Sequence, residues 1–191
     1  QRERIFFFPD QHLGRNTARR LGIMPEEILL WTRSDLPEPE AIRKAKVVLW
    51  PGACNVHQHF RPQDVLAMRR QFPDVRILVH PECKPEVVAL ADDVGSTRYI
   101  IEQVQTAAPG TRWAIGTEAR LVRRLQRQHP EQHIMLLSET LPFCRTMGQT
   151  TAEKLLRLLE ALERGERPHR ITVDQETAYW ARIALERMLA L

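Results

Sequence analysis

The sequence predicts an α/β fold made of short parallel strands that are covered by helices. Short apolar runs, rich in β-branched and aromatic residues, alternate along the 191 residues with longer segments of helical period. The strand candidates are apolar almost throughout, which is typical of parallel strands buried on both faces. Strand–helix alternation of this kind favours parallel sheets with helices on their faces.

The elements follow one another in a regular order. The predicted strands are Ile5–Phe8, Val47–Trp50, Arg76–Val79, Trp113–Ile115, Ile134–Leu137 and Ile171–Val173. The predicted helices are roughly Leu13–Leu21, Pro62–Gln71, Pro85–Ala91, Thr97–Thr106, Ala119–Gln128, Thr151–Arg164 and Gln175–Leu189. Leucines recur at spacings of three and four residues in the helix at Thr151–Arg164 and form one apolar stripe, as an amphipathic helix requires.

The composition excludes several classes of protein. With 43% hydrophobic and 27% charged residues, the chain has the balance of a folded globular protein. Its longest apolar run is far shorter than the ~20 residues of a membrane helix, so we expect no membrane association. The net charge is only +4, and the arginines are scattered among acidic residues, so we expect no nucleic-acid partner. The chain opens at Gln1 without a secretory leader, and we expect a cytoplasmic fragment or processed chain.

The three cysteines, Cys54, Cys83 and Cys144, are odd in number and widely spaced, which favours free thiols or metal ligation over disulfides. A weak internal repeat contains two of them. A strand, a basic helix and a second strand lead to a loop with Cys54 and His57, and the same order recurs before a loop with Cys144 and Met147. Two α/β units would place each cysteine beyond the carboxyl end of a strand, where open α/β sheets bind ligands.

Three loops carry residues that can do chemistry. Cys54 follows a Pro-Gly turn and is either a soft metal ligand or ordinary buried packing, and His57 can face the same cavity. His80 and Glu82 are two residues apart, so in an extended segment they point the same way and can move protons, hold a polar substrate, or simply bond to each other. Ser96 and Thr97 stand at the start of a predicted helix, where they can cap the helix or bind an anion.

Several motifs occur together and in a characteristic order. They are Pro-Asp-Gln-His-Leu-Gly-Arg-Asn (9–16), Trp-Pro-Gly-Ala-Cys-Asn-Val-His (50–57), Leu-Val-His-Pro-Glu-Cys (78–83), Ala-Asp-Asp-Val-Gly-Ser-Thr (91–97) and Gly-Thr-Glu (116–118). In this order and spacing the sequence resembles the quinolinate synthase family across nearly its whole length.

The resemblance implies an enzyme of NAD biosynthesis, a transferase that condenses iminoaspartate with dihydroxyacetone phosphate and releases phosphate and water. It implies similar three-layer α/β domains around a pseudo-threefold axis, each giving one cysteine to a [4Fe–4S] cluster that acts as a Lewis acid. The matching domains here are 1–54, the end of a second domain; 55–145, a third domain; and 146–191, a C-terminal helical extension. The family also implies association with an aspartate oxidase that supplies iminoaspartate.

The same resemblance assigns roles to residues. Cys54 and Cys144 match cluster ligands; the loop at Cys144 is shorter than the family's usual motif. His57 and Glu82 match catalytic positions, and the substrate-binding positions match His80, Pro81, Glu82, Ser96 and Thr97. A third cluster cysteine would come from a part of the family that this chain lacks, so we expect the chain alone to be inactive.

Two other functions are compatible with the residues. A zinc hydrolase would use Cys54, His57, His80 and Glu82, although no closely spaced zinc motif is present. A non-catalytic iron–sulfur or α/β binding module is the other alternative.

Overall fold

The computed structural model describes residues 3–32, 37–140 and 142–190. The strands are β1 (Ile5–Phe7), β2 (Ile28–Leu30), β3 (Val47–Leu49), β4 (Arg76–Val79), β5 (Asp93–Val94), β6 (Arg112–Gly116) and β7 (His133–Leu136). The helices are α1 (Gln11–Arg20), α2 (Pro39–Lys44), α3 (Pro62–Gln71), α4 (Pro85–Val88), α5 (Thr97–Thr106), α6 (Ala119–Gln128), α7 (Ala152–Glu163) and α8 (Gln175–Leu189). Short 3-10 turns form at Pro25–Glu27, His57–His59 and Met147–Gln149.

The strands form two parallel sheets, which confirms the predicted α/β class. The first sheet has the order β1-β3-β2, and the second has the order β5-β4-β6-β7. All of their pairings are parallel, with β1 and β2 both paired to β3 in the first sheet. In the second sheet β4 pairs with β5 and β6, and β6 pairs with β7.

The second sheet is the middle layer of a three-layer sandwich, because its strands alternate their side chains between two apolar cores. One core contains Ile77 and Val79 of β4 packed with Val65 of α3 and Val87 of α4. The other core packs Leu78 and strand residues of β6 and β7 against α5 and α6. Helices therefore bury both faces of this sheet, as its almost continuous apolar strands require.

The first sheet buries one face against α1. Val47 and Leu49 pack there with Ala18, and Gly14 lets the helix approach closely, since a Cβ at that position would lie 2.5 Å from a Leu49 methyl group. Phe7 also packs against this core. Because successive residues of a strand point to opposite faces, its neighbours Phe6 and Phe8 lie on the other face of the sheet. That face carries contacting aromatic rings, namely Phe6, Phe8, Trp31 and Trp50.

The chain divides into two compact units, Gln1–Arg145 and Thr146–Leu191. The second unit contains α7 and α8, capped at their amino ends by the side chains of Thr151 and Asp174. The domain boundaries 1–54, 55–145 and 146–191 stay a prediction. None of the helices in the described part of the chain combines the length and apolar character of a membrane span.

One predicted strand is wrong. Ile171–Val173 has no strand conformation, and Ile171 and Val173 are 84% and 59% exposed. A β-branched triplet becomes a strand only where a partner strand accepts its hydrogen bonds, and the segment pairs with none among the described residues. Conversely, β2, α2 and β5 form where the sequence predicted no element.

Candidate functional site

The candidate site lies where strands of both sheets end. Asp10 follows β1, Cys54 follows β3, His80 and Glu82 follow β4, and Thr117 follows β6. Each of these residues comes just after the carboxyl end of a parallel strand, which is the edge where α/β sheets bind ligands. The first compact unit therefore brings together polar side chains from four separate segments.

The loop that carries Cys54 is tied to the start of α1. One carboxylate oxygen of Asp10 accepts the backbone N–H of Leu13 at 2.7 Å and caps the helix, while the other accepts the N–H of Cys54 at 2.8 Å. The N–H of Gln11 donates to the carbonyl of Gly52 at 2.8 Å. Position 52 needs glycine, since a Cβ there would lie 2.2 Å from the carbonyl oxygen of Pro9. The path of the chain from β3 to Cys54 is thus fixed by hydrogen bonds to the backbone of this loop.

His57 is buried at the centre of the site. Its Nδ1 lies 2.9 Å from a carboxylate oxygen of Glu82, and its Nε2 lies 3.2 Å from the hydroxyl of Thr117. Its ring stacks on that of His80, with centroids 4.2 Å apart and planes at 13°. His57 therefore connects the loop after β3 to the loops after β4 and β6.

The His-Pro-Glu loop is held from the side of α1. The side-chain amide of Asn16 donates to the carbonyl oxygens of Pro81 and Cys83, both at 2.8 Å. The N–H of His80 donates to the carbonyl of Gly116 at 3.1 Å and continues the pairing of β4 with β6. These bonds fix the loop at both ends, which leaves Glu82 little freedom relative to His57.

Burial and these contacts set the charges of the site. The hydrogen bond from His57 lowers the pKa of Glu82, with the neighbouring His80 adding to the effect, so Glu82 is a carboxylate at neutral pH. Burial, and then the nearby His57, lower the pKa of His80 to about 4, so its ring is neutral at that pH. The site therefore pairs a negative carboxylate with an uncharged imidazole that can donate or accept a hydrogen bond.

Among the described residues, Cys54, His57 and Glu82 could hold a metal ion, because their ligand atoms lie within 4.8 Å of one another. Both ring nitrogens of His57 already face protein partners, whereas the Cys54 thiol is half-buried and contacts Glu82. Burial raises the pKa of the Cys54 thiol, so it is protonated until a metal displaces the proton. The donor set thus fits a thiolate-bound metal centre, with Cys54 as the available ligand.

The other two cysteines have different surroundings. Cys83 is fully buried, its thiol points to the carbonyl of Gly116 at 3.6 Å, and burial raises its pKa, which makes it an unreactive core residue. Cys144 is half-buried in the loop after β7 and lies outside the ligand group formed by Cys54 in the described residues. No disulfide links the three cysteines, all of which the structure describes.

The two cysteine loops share a local backbone pattern. After Cys54 a 3-10 turn begins at His57 and α3 begins at Pro62. After Cys144 a 3-10 turn begins at Met147 and α7 begins at Ala152, at the same distances along the chain. The repeat seen in the sequence therefore extends to the backbone that follows each cysteine.

Two of the three remaining predicted residues line a neighbouring groove of about 750 Å³. Pro81 and Ser96 line it together with Tyr99 and the basic end of α1. The hydroxyl of Ser96 caps α5 by accepting the N–H of Tyr99 at 3.3 Å, and Thr97 is exposed as the first residue of that helix. The structure thus brings Pro81 and Ser96 to one groove, and Cys54, His57, His80 and Glu82 to one cluster.

Sequence reasoning assigned no role to three residues that hold the site together. Asp10, Asn16 and Thr117 all fall inside the quoted motifs, at 9–16 and 116–118. Their place in these motifs was the signal that could have identified them, since each is a polar residue next to a strand end or on the helix that follows a strand. Their partners lie far away in the sequence, so the contacts themselves became visible only in the fold.

The chain is similar in sequence to known proteins of one family. A family model described as quinolinate synthetase A protein matches residues 1–190. Curated relatives named quinolinate synthase are 48% identical in Listeria monocytogenes over 193 residues and 46% identical in Geobacillus thermodenitrificans over 197 residues. A third, from a Geobacillus species, is 49% identical over 193 residues. In each case the match covers 100% of this chain and 53% of the relative, so the chain spans about half the length of the curated relatives it matches.

Proposed function

The chain belongs to the quinolinate synthase family, and on that premise we propose that it forms part of an enzyme that makes quinolinate for NAD biosynthesis. The reaction condenses iminoaspartate with dihydroxyacetone phosphate and releases phosphate and water, as a transferase would. The observation that carries the proposal is the charged Glu82 carboxylate, held by His57 beside the Cys54 thiol at the carboxyl ends of parallel strands.

We propose Cys54 and Cys144 as ligands of a [4Fe–4S] cluster. Thiolates are the protein ligands of such clusters, and the available Cys54 thiol supports this assignment, whereas the buried Cys83 does not suit it. A further cysteine from outside these residues would complete the ligand set. When bound, a cluster with one open iron supplies a Lewis acid that polarises a substrate hydroxyl or carboxylate.

The chain's own residues would bind substrate and move protons. Glu82 accepts a proton from the substrate carbon next to a carbonyl or imine group and returns it to the departing hydroxyl, which leaves as water. The neutral ring of His80 donates a hydrogen bond to a substrate oxygen. Pro81 and Ser96 border the neighbouring groove, and Thr97 follows Ser96 as the first residue of α5. The hydroxyls and N–H groups at this helix start suit a carboxylate or phosphate.

Both substrates are small anions that diffuse, and iminoaspartate hydrolyses readily as an imine. Association with an aspartate oxidase that delivers it, in the cytoplasm, is therefore part of the proposal. It predicts that the oxidase mixed with the protein extended to the full length of its relatives makes quinolinate from aspartate faster than the same two proteins do when separated by a dialysis membrane.

A zinc hydrolase is the second candidate, because Cys54, His57 and Glu82 offer a sulfur, a nitrogen and an oxygen within 4.8 Å. The close contact of His57 with both Glu82 and Thr117 weighs against it, since zinc would have to replace one of these hydrogen bonds. Metal analysis separates the two candidates, because a colourless protein with one zinc per chain would contradict the iron–sulfur proposal.

The test is anaerobic reconstitution with iron and sulfide, followed by an assay for quinolinate. We expect a protein extended to the full length of its relatives to gain a brown chromophore near ~400 nm, typical of iron–sulfur charge transfer, and to make quinolinate. This chain alone should make none. In the extended protein Cys54→Ser should abolish both signals, while Cys83→Ser, the matched control at a buried thiol, should retain them. Full activity of the Cys54→Ser variant would refute the proposal.

A further inference from the structure

Asn16 lies on α1, which packs on the first sheet, yet its side chain bonds to the loop after β4 of the second sheet. Its Nδ2 lies 2.8 Å from the carbonyl oxygens of both Pro81 and Cys83. A carbonyl oxygen can only accept a hydrogen bond, so the group that faces both must be the amide NH2, with one hydrogen for each. Both donors of the side chain are therefore used, and this fixes the orientation of the amide.

The two carbonyls belong to the residues immediately before and after Glu82. Within the same turn, the N–H of Cys83 donates to the carbonyl of His80 at 2.9 Å, and the Cys83 side chain is fully buried. The turn at 80–83 is thus closed by its own hydrogen bond and held from outside by Asn16. Because both neighbours of Glu82 are held, the direction in which its side chain leaves the backbone is set.

No buried apolar core spans the two sheets in the described part of the chain. The core of the first sheet contains Ala18, Ile28, Val47 and Leu49, and it shares no residue with the two cores of the second sheet. Burial of apolar surface is non-directional, whereas a hydrogen bond fixes both a distance and a direction. The position of the loop after β4 relative to the first sheet therefore depends on directed contacts, of which Asn16 supplies two.

The same helix also holds the loop that carries Cys54. Asp10 caps α1 and accepts the N–H of Cys54 at 2.8 Å, and Asn16 follows six residues later, about 9 Å further along the helix axis. An α-helix is stiffer than a loop, since each of its turns is closed by backbone hydrogen bonds. Helix α1 therefore connects the Cys54 loop to the Glu82 loop at a fixed distance.

We propose that Asn16 is a positioning residue: its side-chain amide holds the carbonyls of Pro81 and Cys83, and through α1 it keeps Glu82 at a fixed position relative to Cys54. We call these two hydrogen bonds the Asn16 clamp. Asn16 acts through the backbone of the Glu82 loop, since both of its N–H donors are already bonded there. The catalytic meaning of Glu82 rests on the proposed function, but the clamp does not.

The first test is the reactivity of Cys83 in the metal-free chain, because its buried thiol becomes accessible only when the structure around it opens. Asn16→Leu keeps nearly the same side-chain size and removes both donors. Loss of two ordinary hydrogen bonds should raise the rate at which a thiol reagent modifies Cys83 roughly ten- to hundredfold. Carbon-13 NMR observes the clamp directly. The carbonyl carbons of Pro81 and Cys83 should give hydrogen-bonded signals in the wild-type chain and free signals in Asn16→Leu.

The matched control is Gln126→Met, which removes a side-chain amide that donates to the carbonyl of Ile134 at 2.8 Å, a bond of the same kind at α6. It should leave the Cys83 rate and both carbonyl signals unchanged. Asn16→Asp also lacks the NH2 group and should behave as Asn16→Leu does, so it serves if the leucine variant does not fold. Free carbonyl signals in the wild-type chain would overturn the proposal without any variant, and so would an unchanged Cys83 rate in a folded Asn16→Leu chain.

Activity separates this proposal from the proposed function. In the reconstituted full-length protein, Asn16→Leu should lower kcat roughly tenfold or more with little change in KM, because a reacting group is misplaced while substrate binding is retained. Gln126→Met should leave kcat unchanged. If no quinolinate forms in any protein while the NMR signals and the Cys83 rates behave as expected, the proposed function fails and the clamp stands. If kcat is unaffected while the two carbonyls lose their hydrogen bonds, the positioning role is refuted.

Discussion

Asp10 is the buried acid on which the Cys54 loop depends, and replacing it tests that dependence. Its side chain caps α1 at Leu13 and accepts the N–H of Cys54, while the residue is only 4% exposed. In Asp10→Ala, loss of the cap costs about 1 kcal/mol. Leaving the Cys54 N–H unpaired costs about 1–3 kcal/mol more. The expected total of about 2–4 kcal/mol is a large part of the ~5–15 kcal/mol that stabilises a typical domain.

Asp10→Ser separates the two contributions. Serine is as good a helix cap as aspartate, but its single oxygen cannot bond both Leu13 and Cys54. We therefore expect Asp10→Ser to retain the cap and to lose about 1–3 kcal/mol, less than Asp10→Ala. The difference between the two variants measures the cap, and the remaining loss measures the bond to Cys54.

Urea unfolding followed by tryptophan fluorescence measures these free energies. A Trp180→Phe background confines the signal to the first compact unit, because the other tryptophans, Trp31, Trp50 and Trp113, all lie there. Amide hydrogen exchange adds a local readout, in which the Cys54 amide exchanges faster in both variants and the Leu13 amide only in Asp10→Ala. A Cys54 amide that exchanges at the wild-type rate in Asp10→Ala would refute the reasoning.

Two further predictions concern charge and reactivity. Burial alone would raise the pKa of Asp92, but the N–H of Ile77 and the guanidinium of Arg69 outweigh it and lower that pKa. The stability that Asp92 contributes is therefore present above its unfolded-state pKa and lost as pH falls through the folded one. We expect Asp92→Asn to lower the free energy of unfolding in urea by about 1 kcal/mol at pH 7, a modest value because the side chain is 37% exposed. At about pH 2 the substitution should have no effect. An equal loss of stability at the two pH values would contradict this reasoning. In the metal-free chain we also expect a thiol reagent to modify Cys54 before Cys83, because the buried Cys83 should react only when the chain unfolds. Peptide mass spectrometry measures the two rates, and equal rates would contradict the burial of Cys83.

The sequence revealed most of the regular elements because each has a strong local signal. The apolar run at Arg76–Val79 and the periodic helix at Ala119–Gln128 were found with the bounds that the structure has. The two-residue strand Asp93–Val94 has no such signal and forms because β4 offers it a partner. The opposite error occurred at Ile171–Val173, where a strand-like composition found no partner strand in the described part of the chain.

The candidate site was predictable in its residue types but not in its connections. Cys54, His57, His80 and Glu82 stood out because thiol, imidazole and carboxylate groups near strand ends are few. Their mutual contacts depend on how the two sheets meet. No local pattern could indicate that His57 bonds to Glu82 and not to a residue of its own loop.

The amino-acid order alone determined the strand–helix alternation, the family and the candidate groups, since apolar periodicity and motif residues are properties of neighbours in the chain. Only the tertiary structure decided that Asp10 holds Cys54 and that Thr117 holds His57. The physical reason is that buried polar groups must find hydrogen-bond partners wherever folding leaves them, and those partners are set by packing between distant segments.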